Sequence, residues 1–90
     1  MTLNDYRDEA GRFLTAIGEG RGNEAKILAW LNEETALLQE AAAGGGSPKL
    51  RHQIYDVMFL LLELAARFDL DLDAEWAAGR QRKQAKYRRP

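Results

Sequence analysis

The stretch HQIYDVMFLLLEL, residues 52–64, decides the fold. Its apolar residues do not alternate with polar ones as a half-buried strand requires; at about 100° per residue they fall on two separate faces of a helix. Over the whole segment 48–68, one face carries Leu50, Ile54, Val57, Met58, Leu61, Leu64, Ala65 and Phe68, and the other Tyr55, Phe59, Leu62 and Ala66. A helix apolar on two sides is sandwiched, so one face is expected in the subunit core and the other at a dimer interface. Between them runs a polar strip of His52, Asp56, Glu63 and Arg67. Its members pair at one-turn spacing, His52 with Asp56 and Glu63 with Arg67, as intrahelical partners do.

Punctuation divides the rest of the chain. Thr2 followed by Asp5 is the pattern of a capping box, and Leu3, Tyr6, Ala10, Phe13, Leu14 and Ile17 recur at helical spacing until Gly18. GEGRGN, residues 18–23, reads as a turn whose asparagine caps a second helix from Glu24 to Ala43, which ends in GGG. Ser47 is expected to cap a third helix with Pro48 in its first turn, where a missing N–H costs nothing. DLDLD, residues 69–73, supplies a turn and an N-cap, Asp71 or Asp73, for a fourth helix through Trp76 towards Tyr87. The expected helices span about 3–17, 24–43, 48–68 and 73–87, and no stretch alternates in the manner of a strand. The fold expected is all-α: one domain over 1–90, a small antiparallel bundle of about four helices completed by dimerisation.

Composition agrees. Ninety residues suffice for one small domain, and 46% hydrophobic with 30% charged residues is ordinary for a globular protein. With no cysteine there is neither a disulfide framework nor a thiolate metal site, and a single histidine excludes a zinc centre built from several imidazoles. MTLNDYRDEAGRF carries acids from Asp5 onward and is expected to be neither a signal nor a transit peptide, so the expected location is cytoplasmic. The longest apolar run, Val57 to Leu62, is too short to span a bilayer. The net charge of −1 hides an asymmetry: six of the 13 bases (Arg80, Arg82, Lys83, Lys86, Arg88, Arg89) follow the last acid, Glu75. Such a tail can grip phosphate, or simply favour the negative end of its own helix. Nucleic acid is not the expected partner, because nothing resembles a recognition helix with flanking turns. GEGRGN is no phosphate-cradling loop either, lacking the preceding strand and the lysine.

Two carboxylates stand out. On the second helix Ile27, Leu28, Trp30, Leu31, Leu37, Leu38 and Ala41 build the apolar side, and Glu34 falls in its middle, roughly 20° from Ile27 and Ala41. A carboxylate there is expected to be paired, protonated or bound to a cation, whereas Glu33 and Glu40 lie at the edge near Lys26, on a solvated face. Asp56 either pairs with His52 or meets Glu34 across the antiparallel helices. In the second case a shared divalent cation such as Mg²⁺, which keeps waters and shares its shell with phosphate, would relieve the repulsion.

The order of ILAWLNEETALLQEA, a short loop, QIYDVMFLLLELAARFDLDLD and a terminal RKQAKYRRP, together roughly residues 24–90, resembles the MazG-like all-α nucleoside triphosphate pyrophosphohydrolases. That resemblance implies an ExxE on one helix and an ExxD on the next holding Mg²⁺ (or Mn²⁺ in its place). It also implies a water attacking the phosphate chain of a nucleotide, a monophosphate and pyrophosphate as products, and a homodimer or homotetramer as the assembly. Here Glu34 takes the first position of ExxE and Leu37 the second; Gln53 takes the first of ExxD and Asp56 the last. Glu34, Asp56 and Gln53 are thus the implied metal ligands, Glu33 or Glu63 the residue orienting the water, and Lys83, Lys86 and Tyr87 the phosphate-binding group. Two carboxylates suit one ion held partly through water and substrate. The alternative is a relative that keeps the fold and acts as a binding or oligomerisation module.

Overall fold

The computed structural model describes residues 1–18, 24–44 and 48–87. Four helices occupy them, α1 (Leu3–Ala16), α2 (Glu24–Ala43), α3 (Pro48–Arg67) and α4 (Leu72–Tyr87), and no strand occurs among the described residues. The fold is a small all-α bundle. Of the expected turn at 18–23, residues 19–23, with Asn23 as cap, lie outside the described residues, as does the expected cap Ser47.

Local chemistry sets the helix ends. Thr2 caps α1: its Oγ1 accepts from the Asp5 amide at 3.1 Å while its own amide donates to Asp5 Oδ2 at 2.8 Å, a closed capping box. Those contacts, the Thr2 amide foremost, hold the Asp5 carboxyl below its ordinary range. α3 stops at Arg67 because Asp69 turns left-handed at φ 52°, and the Asp69 and Leu70 amides return to the carbonyls of Ala66 and Ala65 at 3.2 and 3.0 Å. This paired return satisfies carbonyls that the helix leaves open, and aspartate is among the few non-glycine residues that tolerate the conformation.

α3 is the central helix, with α1 and α2 both packed along it. Both run antiparallel to it: Phe13 of α1 meets Phe59 edge-on at 5.5 Å with Gly11 beside Ala66, and Glu34 of α2 meets Gln53. The helices run close at Gly11, since a side chain there would place its Cβ 3.0 Å from that of Ala66. Where the three helices converge, Leu14, Ile27 and Leu60 form the buried cluster, lapped by Trp30, Leu31 and Leu64. The expected faces of α3 are redrawn by its neighbours, and Leu60, which neither of them included, belongs to the core. Phe59 and Ala66 face α1, Leu60 and Leu64 face the α2 side, and Ile54, Met58, Leu61 and Phe68 remain exposed.

α4 buries none of its residues, yet it is firmly placed against α1. The N-termini of α1 and α4 lie side by side and cap each other. Asp73 accepts the amides of Leu3 and Asn4 at 3.1 and 3.3 Å, and Asn4 Oδ1 accepts the amide of Leu72 at 2.8 Å. Asn4 Nδ2 donates to Asp71, which itself caps the Ala74 amide, and these two bonds, the first foremost, hold the Asp71 carboxyl below its ordinary range. Arg7 closes the junction by donating to the Leu70 carbonyl at 2.6 Å. Two positive helix ends thus share two carboxylates.

Replacing Asp73 by Ala removes both amide contacts and is expected to destabilise the fold by about 1–2 kcal/mol, typical of a lost cap. Hydrogen exchange should accelerate in α4 and the first turn of α1 more than in α2 and α3. Uniform acceleration in all four helices would contradict this placement of α4.

Candidate functional site

A groove of about 510 Å³ opens over α3 between α1 and α2, lined by Phe13, Trp30, Glu34, Tyr55, Asp56, Phe59 and Leu60. Its position follows from helix lengths. α1 has 14 residues and α3 has 20, and with Gly11 opposite Ala66 and Phe13 opposite Phe59, α1 reaches only part of the way towards the N-terminal end of α3. The polar strip of α3 is angled between its two neighbours, so its depth at each residue depends on whether α1 overlies it. Glu63 is sealed at 4% exposure, Asp56 is partly buried, and His52 is open.

Glu34 has the compensation its position demands. The Gln53 side-chain amide donates to the Glu34 carboxylate and also to the Glu34 backbone carbonyl at 3.2 Å, pinning α2 to α3. Asp56 has its own partner, His52 Nε2 at 3.0 Å from Oδ2. Asp56 thus pairs one turn back on its helix, and it lines the same groove as Glu34.

The other expected site residues are elsewhere. Glu33 is exposed on α2 outside the groove lining. Glu63, expected on a polar strip from which it could reach water, is buried instead, because α1 covers that part of α3. Burial pushes its carboxyl up, and Arg67 one turn on partly offsets this. Leu37 lines a second cavity of about 530 Å³ with Gln53 and Lys49. Lys83 lies on α4 beside Trp76 and Arg80, while Lys86 sits over the Tyr87 ring at 5.4 Å; none of these reaches the groove within one chain. The aromatic lining was only partly legible. Trp30 carries no sign of pocket rather than core, Phe13 falls on the apolar side of the first helix, and Tyr55 and Phe59 fall on an apolar face of the third that could serve core or interface. Their one usable signal is the one-turn spacing of Trp30 with Glu34 and of Tyr55 with Phe59, whose rings stand 5.8 Å apart.

Among the described residues no group of three or more His, Cys, Asp or Glu side chains is placed to hold a metal ion, and no helix is long and apolar enough to cross a membrane. The donor set, two carboxylates on one groove with a side-chain amide behind one of them, fits a single hard cation that takes most of its shell from water and a phosphate ligand. It does not fit a two-ion centre. No family model matches this chain, and neither a curated protein nor a solved structure matches it.

Glu63 yields a pH test. Its folded carboxyl is raised, so the native state binds the proton more tightly, and stability rises as pH falls from the raised value towards the ordinary glutamate range. Glu63→Gln should therefore melt at higher temperature than the parent at neutral pH, with the difference closing in mild acid. A variant less stable than the parent at neutral pH, by a margin that vanishes in acid, would show that attraction to Arg67 outweighs desolvation.

Proposed function

We propose that the chain is a Mg²⁺-dependent nucleoside triphosphate pyrophosphohydrolase of MazG-like type, cleaving a triphosphate with water to a monophosphate and pyrophosphate. The observation that carries this reading is that Glu34 of α2 and Asp56 of α3 line one groove, walled by Trp30, Tyr55 and Phe59. Glu34 and Asp56 would hold the ion, with Gln53 fixing the orientation of Glu34. A bound Mg²⁺ would supply charge neutralisation of the phosphate chain. Trp30, Tyr55 and Phe59 offer flat apolar surface for a nucleobase. Glu33 or Glu63 as the water-orienting residue, and Lys83, Lys86 and Tyr87 as phosphate contacts, require more than the geometry of one chain supplies, and the resemblance implies a homodimer or homotetramer.

A second reading has an observation of its own. The Glu34 carboxylate is already satisfied by Gln53, and Leu37 stands where the resemblance implies an acid, which favours a binding module that keeps the fold without turnover.

Calorimetric titration of Mg²⁺ and Mn²⁺ with the common triphosphates, followed by a pyrophosphate-release assay, separates the two. Glu34→Gln and Asp56→Asn should each lower metal-dependent release about 100-fold or more, because a bound ion supplies several kcal/mol of charge stabilisation. Nucleotide-dependent heat without release leaves the binding module; release unchanged in both variants removes Glu34 and Asp56 as the residues that hold the ion.

A further inference from the structure

We infer that one face of α4 is a docking surface for single-stranded nucleic acid, on which Trp76 and Tyr87 stack bases while Arg80, Lys83 and Lys86 hold the phosphates. This rests on α4 alone and stands whether or not the groove over α3 is catalytic.

At about 100° per residue, Trp76, Gly79, Arg80, Lys83, Lys86 and Tyr87 fall within a sector of about 120° on α4. Both rings on this face are open to solvent, Trp76 at 63% and Tyr87 at 64% exposure, although tryptophan is highly buried on average. The fold makes no use of them as core, since α4 buries none of its residues. Gly79 has no side chain, and a hollow of about 320 Å³ opens there beside the indole, bordered by Glu75, Arg80, Lys83 and Gln84. At the far end Lys86 Nζ lies 5.4 Å from the centre of the Tyr87 ring, so a cation and a ring again stand together. From Trp76 to Tyr87 the helix rises about 16 Å, the length of roughly five stacked nucleotides.

The charge of this face matches a polyanion. From Arg80 onward the chain holds six bases and no acid, whereas the other seven bases and all fourteen acids precede Arg80. The acidic part of the chain repels phosphate and α4 attracts it, which steers a strand to this helix. The acids of α4 itself are engaged: Asp73 accepts two amides of α1, and Glu75 stands 3.7 Å from Arg82. Among the described residues no carboxylate pairs with Arg80 or Lys83.

The order of rings and cations selects a strand over a lipid surface. A helix that lies on a membrane separates an apolar face from a basic one. On α4 Lys83 falls between Trp76 and Gly79 in angle, so seating the indole among acyl chains carries the ammonium with it. An unpaired strand presents bases and phosphates together, and rings interleaved with cations meet both. Reading base edges in a duplex requires a recognition helix with flanking turns; stacking the bases of a single strand requires none.

Fluorescence anisotropy of labelled oligo(dT) and oligo(U) of about 15 nucleotides tests this, with the full chain in EDTA so that no ion in the groove can hold the strand. Binding is expected in low salt, with a slope of about −2 in log K against log salt, from three phosphates at about −0.7 each. Trp76→Ala should weaken binding about tenfold or more. Lys83→Gln should weaken it for both oligonucleotides alike and make the slope shallower by about 0.7. Both side chains are exposed on a helix that buries no residue, so the variants are expected to fold as the parent does, which circular dichroism checks. No binding in low salt overturns the inference, as does binding that Trp76→Ala leaves unchanged, which is adhesion of a polyanion without stacking. A duplex of the same length held as tightly as the single strand overturns it too, and so does tighter binding to phosphatidylserine vesicles than to either oligonucleotide.

Discussion

Leu14 of α1, Ile27 of α2 and Leu60 of α3 meet in one apolar cluster, and the other features of the bundle are placed by that meeting. It fixes the register of two antiparallel pairs at once. Given that register, the shorter α1 ends partway along α3, so Glu63 is covered, Asp56 borders a groove and His52 faces water. The cluster is small. Three such side chains contribute about 1.5–3 kcal/mol each when fully buried, and a chain with so little else wholly enclosed stands close to the limit at which a single core maintains a fold. The reach of α1 along α3 therefore controls both stability and access to the groove.

α4 is secured by different physics. It buries no residue, and its attachment consists of hydrogen bonds between two helix ends: Asp73 on the amides of α1, Asn4 on the amide of Leu72, and Asp71 held by both Asn4 and Ala74. Helix ends offer unsatisfied amides in any case, so caps that serve two helices at once make a junction out of groups that each helix would otherwise leave to water. The arrangement leaves the whole length of α4 beyond its first turns free to be polar. That is compatible with its run of Arg80, Arg82, Lys83 and Lys86, which no buried surface has to accommodate.

The helices were legible because their punctuation is chemical and local. Thr2 with Asp5, Pro48, and the aspartates after Phe68 act through neighbours a few residues away, and the helix limits fall within a residue of those read from the pattern. DLDLD was ambiguous between Asp71 and Asp73 as cap, and both act as caps: Asp71 serves its own helix while Asp73 serves α1, a partner 70 residues distant that no local pattern contains. The polar strip of α3 failed for a similar reason. A helical wheel assigns His52, Asp56 and Glu63 neighbouring directions, and only the reach of another helix decides how deep each one lies. The position of Glu34 inside the α2–α3 seam was legible from its angle alone, whereas its partner Gln53 was legible only as a metal ligand implied by resemblance. In the folded chain its amide donates to the carboxylate.

That last difference bears on what the seam needs in order to form. An acid at position 53 beside Glu34 would put two negative charges across a tightly packed helix pair, and like charges at such range either take up a proton or require a cation between them. Gln53 presents an N–H to the carboxylate and a second contact to the backbone carbonyl, so the charge of Glu34 is met by a neutral donor already in the chain. Leu37, one turn further along α2, adds no further charge to the seam. The α2–α3 pair can therefore close without an ion, and any cation that enters the groove binds to a framework already assembled. It does so against carboxylates that already have partners: Glu34 can keep its bond from Gln53 and offer its remaining lone pairs, whereas the His52 contact of Asp56 is an interaction the ion competes with, at a cost to its affinity.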